Sequence, residues 1–329
     1  MSQKTFNLDV FSLRNHAEFE DAAFQLFHYQ FEKNKVYRAF CNLINVDSNE
    51  VSSLDEIPFL PISFFKTHRV SCLEKASEKI FHSSATTSQT PSKHYVHNLD
   101  HYKKSFVTSF EKDYGPTKDY AILALLPSYL ERDNSSLVYM ANHLIEQSQH
   151  PESGFYLDEW ESLHETLRSL ELKKQKTILL GVSFALLDFI ERFKFRLNHT
   201  LIMETGGMKG RRKELVREEL HTRLCSGFGV SQIHSEYGMT ELLSQAYAKK
   251  EGRFIAPQWM HFQIRSTEDP LEALAKGKIG ALNIIDLANQ QSCAFIATQD
   301  LGKIHHDNSF EVLGRFDHAE IRGCNLLVL

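Results

Sequence analysis

The chain has 329 residues, 42% hydrophobic and 24% charged, values near those of globular proteins and sufficient for one large core or two modest lobes. Its 37 basic and 42 acidic side chains leave a net charge of −5, which excludes a general electrostatic drive toward nucleic acid. The longest apolar runs, such as 120–127 and 178–182, fall far short of the ~18 residues of a membrane span, and the N-terminus has no basic region leading into an apolar core; a cytoplasmic chain without a transmembrane segment is expected.

Near the N-terminus, Phe24, Phe27 and Phe31, then Tyr37, Cys41 and Ile44, recur at helical spacing and predict packed amphipathic helices whose aromatics belong to the core. An apolar strand at Ile80-Phe81 is followed by a dense hydroxyl run, Ser83-Ser84-Ala85-Thr86-Thr87-Ser88-Gln89-Thr90-Pro91-Ser92-Lys93. Leu99, Tyr102, Phe106 and Phe110 then trace one helical face, so the run is expected to lie between a strand and a helix. Its hydroxyls and the closing lysine suit phosphate oxygens, and a helix start favours anions. An ordinary polar turn is the plain alternative.

Strand candidates at 120–126, 177–182 and 200–203 alternate with helical stretches at 137–147, 186–195 and 213–224, which argues for a largely parallel sheet flanked by helices, an α/β fold. Within this region Gly181-Val182-Ser183-Phe184-Ala185 approximates the Gly-x-Ser-x-Gly elbow of α/β-hydrolases. An esterase or thioesterase would pair Ser183 with Asp286 or Asp300 and with His305 or His306; the plain reading of Ser183 is a helix N-cap. The block Ser235-Glu236-Tyr237-Gly238-Met239-Thr240-Glu241 supplies a flat aromatic face for a base, a hydroxyl for phosphate and a hard oxygen ligand for magnesium, and the run 242–250 behind it is expected to be helical. From Ile279 onward, short β runs are expected to be broken by Gly280, Gly302, Gly314 and Gly323. His305 and His306 are adjacent, would point to opposite faces of a strand, and are assigned to a polar loop rather than a metal. Cys41, Cys72, Cys225, Cys293 and Cys324 lack the paired short spacings of a disulfide framework or a zinc site, and most are read as small buried hydrophobes. Cys324 stands beside Arg322, a cation that favours thiolate, although Leu326–Leu329 also suits a final buried strand.

Taken in order, Ser83–Lys93, Tyr237–Glu241, Thr298-Gln299-Asp300 and Gly314-Arg315-Phe316-Asp317 resemble the phosphate-loop, Tyr-Gly-x-Thr-Glu, Thr-Gly-Asp and Gly-Arg-x-Asp blocks of adenylate-forming enzymes. Within that superfamily the chain looks like the acyl-protein synthetases, the luciferin-component ligases of bacterial luminescence. Carrying stretches are Ile57–Pro61 with Phe65-Lys66, Leu126–Arg132, Glu204-Thr205-Gly206-Gly207 and Glu320–Cys324, so the likeness runs over nearly the whole chain. Ala85 and Ser88 depart from the glycines usual in the phosphate loop, the spacing to Lys93 is longer, and added side chains restrict close backbone approach.

The resemblance implies a large N-terminal α/β domain of mostly parallel sheets with flanking helices and a β-rich C-terminal part, residues 1–314, followed by a hinge-like tail, 315–329, carrying Cys324. It implies no small C-terminal domain, and with that domain the usual catalytic lysine is absent; Lys93, Lys209 or a partner would have to supply charge. Ser83, Ser84, Thr86, Thr87 and Lys93 would hold the phosphates of ATP; Glu241 would ligate Mg2+ beside Thr240; Gly206, Gly207, Tyr237 and Gly238 would meet adenine; Asp300 and Arg315 would meet ribose. Gly181, Ser183 and Phe184 would line the acyl pocket for a fatty acid. Activation as acyl-AMP would precede transfer to Cys324 and delivery to a fatty acyl reductase partner, and self-association is compatible with the sequence. An acyl-binding protein of the same fold without ATP turnover is a third reading, motivated by Ala85 and Ser88.

Overall fold

In the computed structural model, which describes residues 6–83, 90–126, 134–206 and 215–316, Asn15 accepts a hydrogen bond from the Glu18 amide and opens α1 (His16–Lys33). Asn34 then does two tasks. Its backbone N–H closes α1 on the Gln30 carbonyl, while its side chain accepts from the Val36 and Tyr37 amides and opens α2 (Lys35–Leu43). Such caps satisfy amides that a helix end leaves without partners. Both helices belong to a unit made of the chain up to Lys75 together with the segment from Gln258 onward. It also contains β1 (Leu60–Pro61) and α3 (Phe64–Thr67).

Residues 76–257 form the second unit. Its first elements are an antiparallel hairpin of β2 (Lys79–His82) and β3 (Lys93–Val96), followed by α4 (Leu99–Tyr114), capped by Asn98 and closed at Gly115. There follow β4 (Ala121–Leu125), α5 (Ser136–Ser148), β5 (Gly154–Phe155), α6 (Trp160–Leu172), β6 (Thr177–Val182), α7 (Ser183–Arg192), β7 (Thr200–Thr205), α8 (Arg217–Phe228) and β8 (His234–Tyr237). The strands β5, β4, β6, β7 and β8 lie side by side and parallel, and β9 (Ala246–Ala248) and β10 (Phe254–Ile255) extend the ladder antiparallel. Every residue of β4 and β6 is buried, as expected of inner parallel strands with both faces covered, and each Leu or Ile so buried contributes about 1.5–3 kcal/mol of transfer free energy.

The first unit resumes with β11 (Met260–Arg265), β12 (Ala273–Leu274), β13 (Ile279–Asp286), β14 (Phe295–Ile304) and β15 (Phe310–Arg315). They pair antiparallel in the order β12, β11, β13, β14, β15, and β1 adds to β14 in parallel. Helix α1 is stitched to this part by buried amides: Gln30 donates to the Asn289 carbonyl at 2.8 Å and accepts from the Ala294 amide at 2.9 Å, while Asn34 donates to the Ser292 carbonyl at 3.0 Å.

The α/β class, the parallel strands and the β-rich end follow the expectations, and three local expectations are corrected. The stretch 242–250 is not a helix: residues 242–248 are buried throughout, leaving no polar stripe for a helix to turn outward, and Ala246–Ala248 pair with β8. The hydroxyl run does not join a strand directly to a helix, because Lys93, its last residue, begins β3, which pairs antiparallel with β2. Gly280 and Gly302 do not break strands; they face each other within the β13–β14 ladder, which runs on through them. Among the described residues no helix is long and apolar enough to cross a membrane.

Candidate functional site

The C-terminal ends of β6, β7 and β8 carry a buried polar network. In the parallel ladder Glu204 lies opposite Ser235, and Thr205 opposite Glu236, so the two glutamates project from opposite faces of the sheet. On one face Arg217 of α8 forms an ion pair with Glu204 Oε1 and donates to Ser235 Oγ at 3.2 Å, with His221 Nε2 3.5 Å from the same carboxylate oxygen. Burial acts against the Glu204 carboxylate, but Arg217, His221 and Ser235 outweigh it and hold its pKa below the ordinary value. Arg217 also lies over the Phe254 ring at 5.2 Å, and that ring meets Tyr237 edge-on at 5.9 Å.

On the other face Thr205 Oγ1 donates to Glu236 Oε2. Burial pushes the Glu236 carboxyl up to about 7 against that hydrogen bond, with the Glu204 charge adding to the rise. Directly across the β8–β9 ladder stands Tyr247, whose buried hydroxyl has no hydrogen-bond partner among the described residues. His234, one alternation back, contacts the Tyr114 hydroxyl of α4 at 3.2 Å, and burial and then Lys249 lower its pKa to about 4, so it is neutral.

The strand that leaves the hydroxyl run touches the Tyr237–Glu241 turn within this unit. His94 of β3, the residue after Lys93, places Nδ1 2.7 Å from the Thr240 carbonyl oxygen; a carbonyl can only accept, so Nδ1 carries the proton. Helix α4 continues the seam through Ser105 and Ser244, 3.1 Å apart, and Ser109 donating to the Gln245 carbonyl at 2.9 Å. At the neck of the hydroxyl run, Ser83 Oγ accepts from the Ser92 amide at 2.8 Å and the Ser83 amide donates to the Ser92 carbonyl at 3.1 Å. Lys93 is exposed opposite His82, whose pKa is lowered by burial and by Lys93.

The other sequence-derived residues fall as follows. Tyr237, Gly238, Thr240 and Glu241 form the strand end and turn just described, with Glu241 buried in the turn rather than near a helix start. Gly206 follows β7 with φ +66°, a conformation that favours glycine. Ser83, Lys93, Gly206, Tyr237 and Thr240 thus belong to one unit. In the other unit Arg315 Nε meets Asp300 Oδ1 at 3.1 Å, the two being register partners of β14 and β15. Gly181 lies inside β6 against Leu186, and Phe184 is buried in α7. Ser84, Thr86, Thr87, Gly207, Lys209, Asp317 and Cys324 lie outside the described residues.

Ser183 is 2% exposed and spends its hydroxyl on Glu204 Oε2, 3.2 Å away, and on the Gly206 carbonyl, 2.9 Å away. It is neither an exposed nucleophile presented to a histidine nor an N-cap, since α7 makes no side-chain cap bond there. The hydrolase reading therefore loses its central residue. Sequence reasoning missed the roles of His94, Thr205, Glu204, Glu236, Arg217 and His221. The available signal was a charged residue at the end of an apolar strand, Leu201-Ile202-Met203-Glu204, which is rarely buried unless paired.

Residues 12–329 match the family described as "Acyl-protein synthetase, LuxE". Among curated proteins the chain is 22% identical over 325 residues to the "Long-chain-fatty-acid--luciferin-component ligase" of Aliivibrio fischeri, covering 92% of this chain and 85% of that protein. Among solved structures it is similar to an ATP-bound RpMatB-BxBclM chimera, with a TM-score of 0.53 and 17% identity over 74% of this chain, which spans about half, 49%, of that protein. It is also similar to an open conformation of 2-hydroxyisobutyryl-CoA ligase with 2-HIB-AMP and CoA, with a TM-score of 0.67 and 10% identity over 96% of this chain and 77% of that one. At these identities the solved structures speak for the fold.

Proposed function

The chain belongs to the acyl-protein synthetase family, LuxE, and is a ligase; from that premise we propose that it activates a long-chain fatty acid with ATP as acyl-AMP and passes the acyl group to Cys324. The observation that carries this reading is the His94–Thr240 contact, which clamps the stem of the hydroxyl-rich run against the Tyr237–Glu241 turn across 146 residues of sequence. Two segments with complementary phosphate and base chemistry thereby share one neighbourhood.

In the first step a carboxylate oxygen attacks the α-phosphorus of ATP as the bond to pyrophosphate breaks. In the second, the Cys324 thiolate sulfur attacks the acyl carbon as the bond to the AMP oxygen breaks. A carboxylate alone would have to expel oxide, whereas AMP leaves readily. Ser83, Ser84, Thr86, Thr87 and Lys93 would hold the phosphates, Gly206, Gly207 and Gly238 would admit adenine with Tyr237 against it, and Asp300 with Arg315 would take the ribose. Positioned charge of this kind is the main catalytic resource in phosphate chemistry. Glu241, the carboxylate of the Tyr237–Glu241 turn, would hold Mg2+ as a hard oxygen donor, since magnesium characteristically takes one or two carboxylates plus substrate phosphates. That ion would neutralise charge on the phosphates. Gly181, Ser183 and Phe184 would border the acyl chain, and a fatty acyl reductase would receive it.

Carboxylate-dependent exchange of labelled pyrophosphate into ATP tests the first step, and its absence across a panel of acids of different chain length would overturn it. Intact-protein mass after incubation with ATP and acid tests the second. An acyl adduct removable by hydroxylamine is expected, and its retention in Cys324→Ser would exclude the proposed acceptor.

A further inference from the structure

Gly238, assigned from the sequence to adenine approach, also faces inward: a Cβ there would lie 2.5 Å from Glu236 Oε1 and 3.2 Å from Gln245 Cγ. The glycine thus makes a seat for a carboxyl group beneath the turn. The second oxygen of that carboxyl accepts from Thr205, the last residue of β7 and the neighbour of Gly206. Glu236 therefore touches both segments to which nucleotide contacts are assigned, while lying 7% exposed on the face away from Glu204 and Arg217.

We propose that Glu236 is a positioning residue for ATP, fixing the Thr205-Gly206 end of β7 against the Tyr237–Glu241 turn through Thr205 on one side and the Gly238 seat on the other. This rests on the adenylating reading above and adds to it the element that sets the spacing of the two segments. The seat suits a neutral carboxyl. Around it stand Tyr114 from α4, Tyr247 across the ladder and Glu204 on the adjoining strand, with His234 two residues back on its own strand and Asp113 of α4 behind the two tyrosines. The nearby cations are already engaged, Lys249 with Asp113 at 3.2 Å and Arg217 with Glu204. Ionised Glu236 would find no free countercharge among these groups and would push against Glu204, loosening the seat.

The test measures ATP dissociation constants by calorimetry, and KM for ATP and kcat in pyrophosphate exchange, from pH 6 to 9 for the wild type, Glu236→Ala, Glu236→Gln and Thr205→Val. The expected result is an about tenfold weaker ATP interaction in Glu236→Ala and in Thr205→Val at neutral pH, the scale of one buried hydrogen bond lost, with kcat changed less than KM. Glu236→Gln, which keeps an acceptor for Thr205 and cannot ionise, is expected to restore affinity to within about threefold of wild type and to remove the weakening of ATP binding at alkaline pH. Unchanged ATP affinity in both Glu236→Ala and Thr205→Val would overturn the proposal, and so would an alkaline weakening in Glu236→Gln equal to that of the wild type. Should Glu236→Ala fail to fold, the other two variants decide. A wild type that binds ATP yet shows no acid-dependent exchange would sink the adenylating reading, while the dissociation constants would still judge the role of Glu236; a wild type that binds no ATP would sink both.

Discussion

The two faces of the parallel sheet treat a buried glutamate in opposite ways. Glu204 keeps its charge because Arg217 and His221 of α8 reach it, whereas Glu236, on the adjoining strand, is buried beside Tyr114 of α4, Tyr247 and Thr205 and is driven toward the protonated form. Burial is common to both, so partner chemistry decides which carboxyl is ionised. A charged carboxylate can brace cationic side chains, and an uncharged one can sit behind a tight turn without repelling the phosphates expected in front of it.

Removing the cation from the charged face should produce the largest effect. Arg217→Met leaves Glu204 buried with weaker compensation and is expected to cost roughly 2–3 kcal/mol in urea unfolding, reduced from the full buried-pair figure because Arg217 is 30% exposed. Combining it with Glu204→Gln should recover most of that loss; a double variant as unstable as the single one would break the comparison.

The next effect is a pH dependence on the uncharged face. Glu236 has a folded-state pKa raised from 4.5 to about 7, so the folded protein binds the proton more tightly than the unfolded chain, and this group's contribution is fully present below about 4.5 and is lost as pH rises through 7. The wild type minus Glu236→Gln difference in unfolding free energy should fall by about 3 kcal/mol over that window and then level off. A difference independent of pH would show that the carboxyl is already ionised when folded. Glu204, with its lowered pKa, has the opposite sign, losing stability as pH falls through its folded-state pKa, so Glu204→Gln should flatten the acid limb instead.

Thr205→Val should cost about 1 kcal/mol, one net hydrogen bond, and the loss should shrink when it is made in Glu236→Ala, where the partner is already gone. The smallest effect belongs to the other unit. Arg315 is 70% exposed, so Arg315→Gln should change stability by less than about 1 kcal/mol despite the 3.1 Å contact with Asp300, and any larger loss in ATP affinity would then belong to binding rather than to folding.

Much of the fold was legible because burial on both faces writes a simple pattern. Ala121–Leu125 and Thr177–Val182 are continuous apolar runs, and they became inner parallel strands. Lys93–Val96 was not legible as a strand, because its buried positions include His94, whose partner is a carbonyl 146 residues away. The run after Glu241 misled for a related reason: Leu242, Leu243 and Tyr247 fit a helix pattern, but β8 supplies a ladder for the backbone of Ala246–Ala248. The order of the motif blocks pointed to the right family, yet the Glu204 and Glu236 networks depend on the register of β7 against β8, which adjacency in sequence does not encode.

The buried amides of Gln30 and Asn34 carry a consequence for how the protein is made. Their acceptors lie 259 and 258 residues downstream, so α1 and α2 leave the ribosome long before the carbonyls that satisfy them exist. The contiguous stretch 76–257 meets no such delay and can mature while translation continues. Until the strands after Gln258 are synthesised, the acceptors of Gln30 and Asn34 do not exist, so the opening helices are expected to become protease-resistant only together with those strands.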